Sequence, residues 1–482
     1  MNVLQVSAEI FPLLKTGGLA DVAGALPGAL IAAGCDARVL LPGFAPILTD
    51  LQGDFVLDEL TAPWGETVRL RLGRLASLGV MAYVIDAPSL YLRAGTPYED
   101  PGRQPYTDNY RRFALLGWVA SQLASGLDEH WQPRVVHSHD WHAALASAYM
   151  AFAPTQRVHV ASVYTVHNLA YQGVFAPRHF YELGLPPSAF SLDGLEFHGQ
   201  MSFMKAGLYY SDHITTVSPS YAREIQTHEQ GCGLEGLLRS RAGELTGILN
   251  AVDEAVWNPA HDAAIAASFD ARKPGGKTRC KAALQQDLGL MVQDDAPLFG
   301  IVSRLTEQKG LHLVLNVLDE LLERGGQLVV LGAGEPGLEA AFRARAAARP
   351  DSVAVRIGYD ESFAHQIFAA SDVTLVPSRF EPCGLTQMYG FKYGSLPLVH
   401  SVGGLADTVV DCSLEDLATE TANGFVFHHF SSQALARAVA RAFALYARKS
   451  EWRAVRARAM AQSLGWDQAA AQYVALYRRL CP

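Results

Sequence analysis

The amino-acid sequence predicts an α/β protein made of two doubly wound, parallel-sheet domains. Three observations carry this. The chain has 482 residues, more than one ordinary hydrophobic core accommodates. Short apolar runs alternate with longer segments of helical periodicity, once from the amino terminus and again after Pro297, which is the pattern of parallel βα units. Each series has a glycine-rich loop after a strand, and the pentapeptide GGLAD occurs in both, at Gly17 to Asp21 and at Gly403 to Asp407.

The first series opens with the apolar strand NVLQVSA, a glycine-rich turn and an alanine-rich helix from Asp21 to Ala33. ARVLLPG from Ala37 is the second strand. RVVHSH from Arg134 is another, followed by a helix from Trp141 to Ala151; VASVYTVH ends at His167, and HITTVS begins at His213. SPSYAREIQ then starts a helix, with Ser at the cap and Pro in the first turn. The polar, weakly periodic stretch from about 250 to 295 is the expected joint. Beyond it come the strand LFGIVSRL and an amphipathic helix from Leu311 to Arg324 with Leu311, Leu315, Leu318 and Leu322 on one face. QLVVLG, a helix from Leu338, SVAVRIG, a helix from Phe363, DVTLVPS, a helix from Leu385 and LPLVHS complete the series. Trp466 to Leu480 reads as a final helix able to pack on either domain.

Composition excludes several function classes. Thirty-nine basic against 48 acidic residues leave a net charge of −9, the wrong sign for a general nucleic-acid binder, although a locally basic cleft stays open. The hydrophobic and charged fractions, 49% and 18%, are those of a globular chain rather than a disordered one. The six cysteines, Cys35, Cys232, Cys280, Cys383, Cys412 and Cys481, include no CxxC pair, so reduced thiols are expected rather than disulfides or a zinc knuckle. Without a basic and apolar leader or a run of 18 apolar residues, the expected location is cytoplasmic, with no membrane partner.

Some motifs have bland explanations. GAGEPG at Gly332 matches the dinucleotide fingerprint, but it lies mid-series and Pro336 opens a helix without any cofactor. HSHDWHA at His137 gathers three histidines and an aspartate, yet a polar cluster lining a sugar pocket or a capped helix start at Asp140 explains it better than a metal site. GCG at Gly231 reads as a turn. Other motifs point to anions. KTGGL sets Lys15 before Gly17 and Gly18 at a helix start, where backbone N–H groups and the helix dipole favour negative charge; an ordinary βα turn is the alternative. SRLTEQKG places Arg304 and Lys309 after a strand, suiting a diphosphate or simply a solvated loop. SRFEPCGLTQ ends a strand with Glu381 and starts a helix whose Gly384, Leu385 and Thr386 offer N–H groups. His167 and Asn168 stand at another strand end. Together these suit transfer of a group away from a nucleotide diphosphate.

KTGGLADV, HSHDWHA, YTVHNLAYQG, SRLTEQKGL, SRFEPCGLTQMYG and VGGLADTV, in this order along nearly the whole chain, resemble the motif set of bacterial glycogen synthases and plant starch synthases. The resemblance implies the GT-B fold, two Rossmann-like domains facing across a cleft. It implies boundaries at 1–247 for an acceptor-side domain, 248–257 for a hinge, 258–461 for a donor-side domain, and 462–482 for a terminal helix returning to the first domain. The implied activity is retaining transfer of glucose from ADP-glucose to the nonreducing end of an α-1,4-glucan such as glycogen, with no metal and no other cofactor. It implies Lys15, with Gly17, Gly18 and Asp21, near the diphosphate, and Arg304 and Lys309 binding it from the other domain. Tyr359 would stack on adenine. Glu381, with Cys383, Gly384, Leu385 and Thr386, would hold the glucose, Gly403 and Gly404 would lie beside sugar and phosphates, and Asp140, His167 and Asn168 would approach the sugar. Val402 stands where the family has Thr, His400 and Ser401 replace a basic pair, Ala251 a Gly, and Cys232 a Tyr. A UDP-glucose donor, a non-catalytic glucan-binding protein and a dinucleotide oxidoreductase are the rival readings.

Overall fold

The computed structural model describes residues 1–153 and 159–481, which form two compact units: Met1–Asn250 with Trp466–Pro482, and Ala251–Gly465. The strands, in chain order, are β1 (Asn2–Val6), β2 (Asp36–Pro42), β3 (Leu51–Thr61), β4 (Thr67–Leu75), β5 (Met81–Asp86), β6 (Val135–His139), β7 (Ala161–Val166), β8 (Val174–Phe175), β9 (Glu196–Phe197), β10 (Gln200–Ser202), β11 (His213–Thr216), β12 (Leu245–Gly247), β13 (Leu298–Val302), β14 (Gln327–Gly332), β15 (Val353–Ile357), β16 (Val373–Val376), β17 (Leu396–His400) and β18 (Phe425–Phe427).

In the first unit a nine-stranded sheet runs β12-β11-β7-β6-β1-β2-β5-β4-β3. From β12 to β5 every pairing is parallel, and the order reverses between β1 and β6. Strands β8, β10 and β9 form a small antiparallel sheet of their own. The second unit carries six strands in the order β15-β14-β13-β16-β17-β18, all parallel, reversing between β13 and β16. Open parallel sheets bind ligands beyond the carboxyl ends of their strands at such reversals. The KTGGL, HSHD and VHN segments follow β1, β6 and β7, three neighbours; the SRLTEQKG and SRFEPCG segments follow β13 and β16.

Two regions depart from the sequence pattern. Residues 43–133, to which periodicity assigns nothing, hold the hairpin β3–β4, antiparallel to each other, with β4 antiparallel to β5. Much of β3 faces solvent, and cross-strand pairs such as Arg69–Glu59 (2.9 Å) take the place of an apolar face. The polar stretch expected as a joint contains a helix, Gly275–Asp287. Its inward face carries Lys277, Lys281 and Gln285, spaced i, i+4, i+8, so the helical period is present but written in polar residues that a hydrophobic search passes over.

Both buried lysines are satisfied, and Gln285 donates through Nε2 to Gln327 Oε1 at 2.7 Å. Lys277 Nζ donates to the carbonyls of Phe368, Ala369 and Tyr393 at 3.2, 3.1 and 2.8 Å, at the carboxyl ends of two helices. Burial lowers its pKa to about 7. Lys281 Nζ meets Asp372 Oδ2 at 2.7 Å and the Ala296 carbonyl at 2.6 Å, and the same Asp372 oxygen accepts from the Leu298 amide at 2.9 Å, where β13 begins. The terminal helix Trp466–Leu480 belongs to the first unit, with Tyr473, Leu476 and Tyr477 buried. No helix among the described residues is long and apolar enough to cross a membrane.

Removing one partner of the Lys281–Asp372 pair strands a buried ammonium. Asp372→Ala is therefore expected to lower stability by about 3–5 kcal/mol, read as a fall in the urea midpoint of the second unit followed by tryptophan fluorescence. An unchanged midpoint would show that the Ala296 and Asp294 carbonyls and the Tyr446 hydroxyl suffice for Lys281.

Candidate active site

In the first unit, β1 delivers the chain to Glu9, a carboxylate only 2% exposed. It accepts a hydrogen bond from the Thr16 amide (2.6 Å), from the Thr16 hydroxyl and from the Tyr98 hydroxyl. Glu9 thus ties the KTGGL loop to the strand end. Gly17 caps and Gly18 begins the helix Gly18–Ala32, three residues earlier than the apolar pattern indicates. Lys15 Nζ lies 2.9 Å from Asp21 Oδ1 and 5.0 Å from the Phe11 ring centroid, so the loop cation is already paired. Sequence reasoning missed Glu9 and Tyr98; the available signal for Glu9 was an acidic residue just past the carboxyl end of a buried strand.

Asp140 follows β6 with φ 53°, a left-handed conformation that Asp tolerates better than most residues. This turns its carboxylate toward the end of β7, where Oδ1 accepts from the amides of His167 (2.8 Å) and Asn168 (3.4 Å). Burial pushes the Asp140 carboxyl up to about 7; the two amides oppose that shift and the charge of Glu9 adds to it. Asn168 turns its own Oδ1 back to the Ala170 amide, 3.1 Å away.

Two of the three histidines of HSHDWHA, His137 and His139, join a buried hydrogen-bonded chain. His139 Nδ1 is 3.0 Å from His167 Nε2, and His139 Nε2 is 2.7 Å from Gln5 Oε1. His137 Nδ1 lies 2.7 Å from the Tyr477 hydroxyl, and its Nε2 is 2.5 Å from Thr165 Oγ1. Burial depresses His137, His142 and His167 to about 3 and His139 well below its ordinary value, leaving all four rings neutral. Among the described residues no group of three or more His, Cys, Asp or Glu side chains is arranged to hold a metal ion.

In the second unit the loop after β13 is fastened to the loop after β16. The Arg379 amide donates to the Gln308 carbonyl at 2.8 Å, and Gly310, with φ 67°, sits where a Cβ would come within 2.0 Å of the Pro377 carbonyl. Lys309 Nζ contacts Glu381 Oε2 at 2.6 Å, and Ser378 Oγ donates to the same oxygen at 2.8 Å. The two residues expected to hold different parts of a substrate are therefore ion-paired to each other. Arg304 stands on the same loop, 3.5 Å from Gln308 Oε1. Gly384, with φ 73°, turns the chain through Leu385 into the helix Thr386–Lys392, whose first N–H groups have no acceptor within the helix. Tyr359, 72% exposed, lies beyond β15, two strands from the reversal, with its hydroxyl on Glu361.

The two GGLAD copies are not equivalent. Both start helices, Gly18–Ala32 and Gly403–Thr408. A Cβ on Gly17 would meet nothing within 4 Å, whereas one on Gly403 would fall 2.0 Å from the Glu381 carbonyl and one on Gly404 2.0 Å from that of Cys383. The Gly404 amide donates to the Glu381 and Pro382 carbonyls, both at 3.2 Å. The second copy thus buttresses the EPCG loop. Val402, the cap of its helix, makes no side-chain capping bond. GAGEPG is explained in the same way: a Cβ at Gly332 would lie 1.9 Å from the Ser303 carbonyl and one at Gly334 2.3 Å from that of Leu305. These glycines serve loop-on-loop packing. GCG is a turn, with Cys232 and Gly233 at φ 52° and 82°.

Residues 2–240 match the family model described as "Starch synthase catalytic domain", and residues 290–457 match "Glycosyl transferases group 1". The chain is 64% identical to a glycogen synthase of Variovorax paradoxus, over 99% of each chain. It is 57% identical to one of Leptothrix cholodnii, over 100% of each. Among solved structures, the catalytic domain of starch synthase IV from Arabidopsis thaliana, bound to ADP and acarbose, superposes with a TM-score of 0.90 at 32% identity, over 99% of each chain. A sucrose-phosphate synthase from Thermosynechococcus elongatus, at 18% identity and a TM-score of 0.58, shares the fold over 99% of this chain and 98% of its own.

Gly404→Ala is expected to lower the melting temperature by several degrees, about 2–4 °C per kcal/mol of lost stability in a unit of this size, while Gly17→Ala leaves it unchanged; differential scanning fluorimetry of both variants decides. Folded Asp140 keeps a proton at pH values where the unfolded chain has released it, so ionising it between about pH 4 and about pH 7 costs stability. Asp140→Asn should melt higher than the parent at pH 8, by a margin that narrows as the pH falls and closes at about pH 4. A difference that grows toward acid would refute the raised pKa.

Proposed function

The chain belongs to the glycogen and starch synthase family, a glucosyltransferase that elongates glycogen, and from that premise we propose how its residues divide the reaction. The donor is ADP-glucose, the acceptor the nonreducing end of an α-1,4-glucan, and the anomeric configuration is retained. The observation that carries this is the coincidence of the shared motifs with the carboxyl ends of β1, β6 and β7 in one unit and of β13 and β16 in the other.

Breaking the glucosyl–phosphate bond leaves positive charge on the sugar and negative charge on the departing diphosphate. Arg304 and Lys309, with Lys15 and the N–H groups at helix starts, stabilise the second; preorganised electrostatics of this kind usually contribute more to rate enhancement than any other single effect. Glu381 aligns Lys309 through their 2.6 Å contact and accepts sugar hydroxyls at its remaining lone pairs. Tyr359 stacks on the base. Asp140 and His167 approach the sugar, and Asn168, Gly403 and Gly404 shape its surroundings.

Neither carboxylate is set up as a covalent nucleophile. Glu381 Oε2 already takes hydrogen bonds from Lys309 and Ser378, and Asp140 Oδ1 takes two from backbone amides. Front-side substitution fits better: the leaving phosphate accepts the proton of the attacking glucan hydroxyl on the face from which it departs, and configuration is kept. Mass spectrometry of the intact chain after reaction with a 2-fluoro donor tests this, since an adduct on Asp140 or Glu381 would overturn it.

Incorporation of radiolabelled glucose from ADP-glucose into precipitated glycogen is the direct assay, with UDP-glucose as the second arm. Label appearing faster from UDP-glucose would overturn the donor assignment. Lys309→Ala and Arg304→Ala should each lower kcat roughly 10²-fold or more; parent-like rates in both would sink the diphosphate role.

A further inference from the structure

The second-layer contacts of His167 run, without a break, to the terminal helix. Gln5 sits in the middle of β1, where the neighbouring strand residues are apolar, and is 2% exposed. Its Nε2 donates toward the Tyr477 hydroxyl and His137 Nδ1, each at 3.2 Å, and its Oε1 faces His139 Nε2 at 2.7 Å. Tyr477 comes from the helix Trp466–Leu480, more than three hundred residues away in sequence from His137. Every ring and amide in the series is buried.

The proton order along this series is constrained. Gln5 Nε2 can only donate, so His137 Nδ1, 3.2 Å from it, is bare, and the phenol 2.7 Å away donates to the same nitrogen. The phenol oxygen then presents lone pairs to Gln5, which must turn its NH₂ toward Tyr477 and its carbonyl toward His139. A carbonyl only accepts, so His139 carries its proton on Nε2 and leaves Nδ1 bare. His139 Nδ1 accepts from His167, whose proton is therefore on Nε2, and His167 Nδ1 is left with a lone pair. His167 Nδ1 has no hydrogen-bond partner among the described residues.

We propose that Tyr477 and Gln5 are positioning residues that fix the tautomer of His167, so that this ring offers a lone pair, not a proton, to the glucosyl group. A lone pair is the form that steadies a sugar bearing positive charge or accepts from one of its hydroxyls; an N–H would oppose the first and be mismatched to the second. The terminal helix, which carries none of the family motifs, thereby acts on the reacting sugar through three intervening side chains. This inference rests on the reading of His167 as a residue that touches the sugar.

The test uses the full chain with ¹⁵N-labelled histidine, its signals assigned with His167→Ala. In the parent, His167 should show a protonated Nε2 and an unprotonated Nδ1; the opposite tautomer overturns the proposal without any further variant. Tyr477→Phe should shift those signals toward a mixture and lower kcat about fivefold to tenfold, the scale of one oriented hydrogen bond, with KM for ADP-glucose within about twofold and the melting temperature within about 3 °C. If that variant does not fold, Gln5→Leu is read in the same way. A lowered kcat with unmoved signals, or moved signals with parent kcat, overturns it. If His167→Ala itself keeps parent kcat, it is the placement of His167 at the sugar that fails; if His167→Ala is slow while Tyr477→Phe is parent-like in both readouts, the relay alone fails.

Discussion

A polar group taken out of water has to find its hydrogen bonds inside the protein, and in this chain that constraint organises both units. The parallel strands are apolar for most of their length, but at or near their carboxyl ends, and at one position inside β1, they carry Gln5, His137, His139 and Thr165, all nearly inaccessible. Each can be buried only because a specific partner from another element reaches it. The cost of leaving any one unsatisfied holds β1, β6, β7 and the terminal helix in one relative arrangement. The same rule acts in the second unit, where Lys277 and Lys281 seat the helix Gly275–Asp287 on carbonyls and on Asp372.

Groups that must be ordered for stability include those proposed to act in catalysis. His167 is neutral because it is buried, and it is oriented because His139 is. Glu381 is positioned by Lys309 and Ser378 before any substrate arrives, and the EPCG loop that carries it is backed by Gly403 and Gly404 at distances no side chain would permit. Preorganisation of this kind removes the reorganisation that charge separation would otherwise require.

Much of this was legible in the amino-acid order. Apolar strands alternating with amphipathic helices gave both parallel sheets, and the motifs KTGGL, SRLTEQKG and SRFEPCGLTQ fall on the loops after β1, β13 and β16. What escaped has physical reasons. The β3–β4 hairpin is stabilised by ion pairs on exposed strands, so it lacks an apolar face to detect. The helix Gly275–Asp287 buries lysines and a glutamine, which a hydrophobic period does not count. Glu9 and Tyr98 belong to no glycine-rich or basic motif, yet they fasten the Lys15 loop. GAGEPG shows the converse, a pattern in which Gly332 and Gly334 answer to the carbonyls of Ser303 and Leu305.

The sequence by itself determined the fold class, the family and the loops proposed to bear chemistry, because these depend on local periodicity and on contiguous residues. Only the tertiary structure decided the partners: Lys309 with Glu381, Asp140 with the backbone of His167 and Asn168, and Tyr477 with His137 and Gln5. It also separated the two GGLAD copies, one opening into free space at Gly17 and the other pressed against the Glu381 and Cys383 carbonyls. Identical pentapeptides have the same local preferences. What distinguishes them is which distant backbone lies against each, and that is a property of packing rather than of the residues themselves.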